Sequence, residues 1–291
     1  VRAKAAAITP PENQGLLSPW AAALALSVLM LFTELGRAQS VKPEDQVPVA
    51  KRWSVVAGVG QSQSLYLTNE GKDQAATDLS ASLRFRLAPK TLLSLAVAGS
   101  FDNKQEDSDL SQASASLSQS RITLANDYIL WTPSVSAQLP ASRRNIAASM
   151  KGVLGFANRL DLNSEKMGWT RASVAYLASA SHAFYEFDTS VTGAVNQPFR
   201  LSQGLEFSWA ISDQVFLVIF GSHGLRRSVN AEYSESFTHA EEIYAQINSS
   251  FGISLGHQLG ANIRAANGQD LNLRLSSDQD SIVYLQTSLI F

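Results

Sequence analysis

Four histidines are the side chains here best suited to proton transfer or metal binding: His182, His223, His239 and His257. Each would need a partner within hydrogen-bond reach, a serine to activate or a carboxylate to hold it. Ser222 adjoins His223, but neighbouring residues of a strand point to opposite faces, so the two cannot share a proton there. His239 precedes Glu241 and Glu242 closely enough for a metal site to be conceivable. A hydrated loop face accounts for the same cluster, since 225–238 is polar and charged. The chain has no cysteine, which excludes disulfides, thiol catalysis and thiolate metal sites. No phosphate-binding loop, zinc motif or internal repeat is present. The expectation is a protein with no catalytic residues, no metal and no cofactor.

The remaining chemistry is that of charge lining a surface. Arg84, Arg86, Arg121, Lys151, Arg171 and Arg264 fall on one parity of alternating segments, together with Asp78, Asp127, Glu206 and Glu242. Small residues recur on the same parity: Ser54, Gly58, Gly60, Ser80, Ser82, Ser94, Ala96, Ala98, Ser208 and Ser250. The opposite parity is apolar, as in Leu79, Ala81, Leu83, Phe85 and Leu87. A period of two with unlike faces predicts strands, and a wall made of them has one wet and one apolar side. The charges could brace that wall by pairing with each other, or form a constriction that weakly prefers anions.

Cut by this alternation, residues 52–291 divide into twelve segments. The first runs over Arg52–Tyr66 and the second around Leu79–Leu87, with a tight turn at Ala88-Pro89-Lys90. The third is Thr91–Phe101. The fourth lies within Leu110–Trp131, its polar part 111–120 extending beyond the apolar zone. Turns follow from Thr132-Pro133-Ser134, Ser212-Asp213-Gln214 and Gly256-His257. A weak fifth segment covers Val135–Leu139, and the sixth, Ile146–Leu160, carries Met150, Leu154 and Phe156 opposite Lys151. Gly168–Phe184 is the seventh. Leu201, Leu205, Phe207, Trp209 and Ile211 are the outer row of the eighth. Short connections near 88, 133, 213 and 256 alternate with long ones near 70, 105, 190, 232 and 273. Those near 142 and 164 break the alternation. A ten-stranded arrangement, with the fifth and sixth segments cut wrongly, is the rival.

Bulk properties agree with an all-β wall. Net charge is −2 and the pI about 6.1, which gives nucleic acid nothing to hold. Mean hydropathy is −0.03, as when an apolar face alternates with a polar one. One continuous apolar run, Trp20–Phe32, follows Arg2 and Lys4 and precedes small residues around Ala38. That is the layout of a secretory signal peptide. The expected organisation is a signal over 1–38, a lead-in over 39–51 and a β-domain over 52–291.

The last strand carries the family resemblance. Val283, Leu285, Thr287, Leu289 and Phe291 alternate with Ile282, Tyr284, Gln286, Ser288 and Ile290, enough to cross a bilayer core as a tilted strand. A strand ending in Phe291 resembles the insertion signal of Gram-negative outer-membrane β-barrels, with Val283, Leu285, Leu289 and Phe291 as its outward row. The resemblance implies an antiparallel transmembrane barrel of about twelve strands, contact with outer-membrane lipid, and handling by the barrel-insertion machinery. Aromatics near strand ends, among them Trp53, Tyr66, Phe101, Tyr128, Trp131, Trp169 and Trp209, suit interfacial girdles. Twelve-stranded families that such a chain resembles include nucleoside channels, acidic-sugar porins, an outer-membrane phospholipase and a lipid A deacylase. The phospholipase family carries His-x-Ser-Asn on its outer wall; here the triplets are His182-Ala-Phe, His223-Gly-Leu, His239-Ala-Glu and His257-Gln-Leu. The expectation is a porin for small hydrophilic solutes rather than an enzyme. A surface or structural barrel comes second, and a lipid hydrolase third.

Overall fold

A computed structural model describes residues 52–65, 75–103, 107–263, 275–277 and 280–291. The signal and lead-in segments, Tyr66 and Arg264 lie outside the described residues. The strands are β1 (Trp53–Ser64), β2 (Ala75–Ala88), β3 (Thr91–Asp102), β4 (Asp107–Gln119), β5 (Ile122–Leu124), β6 (Ile129–Leu139), β7 (Met150–Leu162), β8 (Ala172–Tyr185), β9 (Phe199–Ala210), β10 (Val215–Arg227), β11 (Tyr233–Gln246), β12 (Phe251–Asn262) and β13 (Ser281–Ile290). Two short helices, α1 (Arg143–Ala147) and α2 (Ser164–Met167), sit in connections.

Apart from β4 and β5, consecutive strands pair antiparallel, and β1 pairs with β13 in the register Val56↔Ile290 to Ser64↔Ile282. Phe291 and Val55 exchange backbone hydrogen bonds of 2.9 and 3.2 Å beyond that ladder. Both β4 and β5 pair with β6, so they are two pieces of one wall strand and the barrel has twelve strands. Closure is what lipid demands, because an open edge there leaves backbone groups unpaired. Half-exposed Val59, Leu79, Ile243, Leu255 and Leu285 identify the outer face. They lie in register as Val59↔Leu79, Ile243↔Leu255 and Leu255↔Leu285. The end where β1 begins and β13 finishes is taken as periplasmic. Trp53, Trp131, Trp209, Phe251 and Phe291 gather toward that end of their strands.

Several expected turns lie elsewhere. Thr132-Pro133-Ser134 is inside β6; the chain turns instead at 125–128, where Ala125, Asn126 and Asp127 take φ of 50, 55 and 70°. Pro133 has no N–H to donate, and it sits where the facing strand breaks between β4 and β5. The ladder loses nothing there, and Arg121 N–H bonds to Thr132 Oγ1 at 3.4 Å. The polar 111–120 stretch is therefore wall, mostly within β4, and Val135–Leu139 is the upper part of β6. Gly256-His257 likewise lies inside β12. The turn before it is 247–250, where Asn248 Oδ1 accepts from Ser250 and Phe251 N–H at 2.9 Å each. The expected long connection near 232 closes within 228–232, because β10 and β11 continue through polar residues to Arg227 and Tyr233.

Candidate functional site

The inner wall is built from the parity opposite the lipid row. Ser114, Ser116 and Ser118 of β4 face Gln138, Ser136 and Ser134 of β6. Further round, Ser179 pairs with Ser202 and Ser222 with Gly204. Small side chains leave a luminal cavity of about 440 Å³, lined in part by Ser118, Ser134, Arg159, Ser179, Ser202 and Phe220. Eight strands already close around packed side chains, so twelve with serine inward enclose water.

One wall of this lumen is braced by a bidentate ion pair. Arg159 of β7 donates from Nη2 to Glu206 Oε1 at 2.7 Å and from Nη1 to Oε2 at 3.2 Å. Its Nε donates to Asp161 Oδ1 at 2.8 Å. The pair bridges β7 to β9 across β8, where Ala175 stands between Asp161 and Glu206 in register. Ala175 is small enough to be roofed by the bridge and is 2 % exposed. Further round the wall Tyr284 Oη donates to Glu242 Oε2 at 2.7 Å, and Tyr244 Oη donates to Gln246 Oε1. A Cβ at Gly256 would collide with the Tyr284 ring, and one at Gly252 with Tyr244. These glycines let the inward rings lie flat on the sheet.

Positive charge collects at the extracellular mouth. Arg200 and Arg226 are directly paired across β9 and β10, and Arg144 of α1 lies within electrostatic range of Arg226. Like charges directly opposite repel, and among the described residues none of the three has an acidic partner. The loops that hold Arg144 are tied together. Asn196 Nδ2 donates to Ala148 O at 3.1 Å and Phe187 O at 2.8 Å, and Val229 N–H donates to Asn196 O at 3.1 Å.

The residues singled out in the sequence are spread over the barrel. Arg84 and Arg86 stand on the inner row of β2 toward the periplasmic end, Arg84 between Ser54 and Ser94. Among the described residues neither has an ion pair. Glu206 and Glu242 are luminal and engaged as above. Arg171 precedes β8 at the periplasmic rim, its carbonyl accepting from Ala210 N–H. Arg121 occupies the break between β4 and β5 with φ of 52°, outside any strand row. Lys151 is the extra residue of a bulge at the extracellular end of β7 and pairs with Glu186, so it sits at the rim rather than along the wall. Asp127 is in a periplasmic turn. Val283, Leu285, Leu289 and Phe291 share the outward parity of the last strand. Arg159, Arg200, Arg226 and Arg144 escaped the sequence reading as site residues, although Arg159 shares the odd parity of Lys151, which lies eight positions before it. The four histidines all face outward; His239 and Glu241 are on the wall of β11, not on a loop, while Glu242 faces the lumen.

A closed barrel with an apolar exterior and a wet interior has the architecture of an outer-membrane β-barrel. Among solved structures the chain is similar to the NanC porin, at 7 % identity and a TM-score of 0.52, covering 81 % of this chain and 98 % of that one. It is similar to an outer-membrane channel from Pseudomonas putida F1 at 14 % identity and a TM-score of 0.54, covering 86 % and 100 %. At such identities the likeness is one of fold. No family model matches the sequence, and no curated protein does.

Proposed function

We propose that the barrel is a passive channel for small hydrophilic solutes with a weak preference for anions. The arginine cluster at the mouth carries this reading. Among the described residues Arg144, Arg200 and Arg226 have no carboxylate partner, and they stand above a serine-lined cavity, so a passing anion relieves their mutual repulsion. Arg84 and Arg86 extend the same bias toward the periplasmic exit. The Arg159–Glu206–Asp161 group sets two carboxylates against one guanidinium and works as a brace. The reading takes 1–38 as an export signal, 39–51 as a lead-in and the outward row of β13 as the element read at insertion. The similarity to porin and channel folds supports it without naming a solute.

Single-channel recording under a salt gradient tests it. Discrete conductance steps with an anion-selective reversal potential are expected. Arg200→Glu with Arg226→Glu should move selectivity toward cations. Protein that inserts and conducts nothing would reject a channel and favour a surface-binding barrel, for which the tied extracellular loops would be the contact face.

A further inference from the structure

The outer wall holds a constellation that the channel does not use. On β13, Ser281 Oγ lies 3.1 Å from His257 Nε2 on β12. His257 Nδ1 lies 2.9 Å from Glu241 Oε2 on β11. The other carboxylate oxygen, Glu241 Oε1, is 2.6 Å from His239 Nε2. Register places all four on the lipid side: Glu241 pairs with His257, His239 with Leu259, and Leu259 with Ser281. The next outward row toward the periplasm is Ile243–Leu255–Leu285, each about half exposed. The group therefore lies in the extracellular half of the wall, above an apolar belt.

The hydrogen bonds fix the direction of proton transfer. An ionised Glu241 only accepts, so His257 carries its proton on Nδ1 and its Nε2 is a base. Ser277 N–H donates to Ser281 Oγ at 2.8 Å, which leaves the serine hydroxyl proton directed at Nε2. This is the order of a serine hydrolase triad: nucleophile, base, and carboxylate orienting the base. Closure does not call for it, since the ladders of β11, β12 and β13 are continuous without shifts. Ionisable groups at membrane depth are costly where an aliphatic side chain would serve.

We propose that Ser281, His257 and Glu241 hydrolyse acyl esters of outer-leaflet lipids, with His239 as a positioning residue on the carboxylate. Ser281 Oγ attacks the ester carbonyl carbon while its proton passes to His257 Nε2. Collapse breaks the bond to the alcohol oxygen, and the alcohol leaves with that proton. Water, deprotonated by the same Nε2, attacks the acyl-serine, releases the fatty acid and restores the hydroxyl. The acyl chain would lie along Leu255 and Leu285. Fatty acyl esters occur in both phospholipid and lipopolysaccharide, and the chemistry is common to them.

Ser281 is 2 % exposed, so reach is the first thing to measure. The full-length protein in mixed micelles is treated with a fluorophosphonate, and the adduct is mapped by mass spectrometry. Fatty acid release is then followed from phosphatidylethanolamine micelles and, separately, from lipopolysaccharide. The proposal expects an adduct on Ser281 and release from one of the two lipids. Ser281→Ala or His257→Gln should reduce release by at least about 10³-fold. Heat-modifiable migration and channel conductance, both independent of this face, should stay unchanged and show that the variants fold. No adduct on the wild-type protein, or release from neither lipid, overturns the proposal; loss of conductance alone bears on the channel and not on the triad.

Discussion

At the residue scale the lumen pairs a bidentate brace with arginines that have no ion pair among the described residues, and the two should respond to mutation with different signatures. Arg159 is one-third exposed in a wet cavity, so its bridge contributes only about 1 kcal/mol to stability. Its electrostatic role is larger, because Arg159→Ala leaves Asp161 and Glu206 as unpaired carboxylates on one wall. Reversal potential should move toward cation selectivity with little change in the unfolding midpoint. An unmoved potential would put the bridge outside the conducting path. Arg159 was legible in the sequence, since its parity within β7 is inward. The proposed triad was not: its partners are separated by 16 and 24 residues and meet only through the pairing of β11, β12 and β13. A search for serine two residues from histidine tests neighbours along one strand, whereas sheet register joins residues on different strands.

At the scale of the strand, alternation located the walls well, and turn residues misplaced their ends. Proline and glycine were read as chain reversals at Pro133 and Gly256. Each has a wall function instead, one where its neighbour strand breaks and one beneath an inward ring. Their roles depend on what stands across the sheet, which local composition does not carry. Gly256→Ala tests the second role. The added methyl collides with the Tyr284 ring, which must lift away and lose its bond to Glu242. Overpacking of this kind costs about 1–3 kcal/mol, read as a lower urea midpoint in micelles. Adding Tyr284→Ala to Gly256→Ala removes the collision, so the double variant should lose no more stability than Tyr284→Ala alone. If Gly256→Ala were additive with Tyr284→Ala, the ring would not be resting on that glycine.

At the scale of the whole barrel, everything assigned to the lumen or to lipid rests on one register, because a slip of one residue exchanges the two faces. The seam between β1 and β13 joins the two ends of the wall and is the sharpest place to test it. Val55 and Phe291 exchange both backbone bonds, so the next pair, Val56↔Ile290, is non-hydrogen-bonded. Such pairs bring Cα atoms to roughly 4.5 Å, within disulfide range. Both side chains share the inward parity, where water and oxidant reach them. The chain contains no other cysteine, so Val56→Cys with Ile290→Cys gives one thiol pair and no competing partner. Mild oxidation of the folded protein should link it nearly completely and hold a circular product through boiling in detergent, visible as a shifted band that reductant abolishes. Val56→Cys with Leu289→Cys places the thiols on opposite faces and should stay unlinked. Linkage of that second pair in preference to the first would move the seam by one residue and turn the arginines of β2 away from the lumen if the slip were shared by the neighbouring ladder.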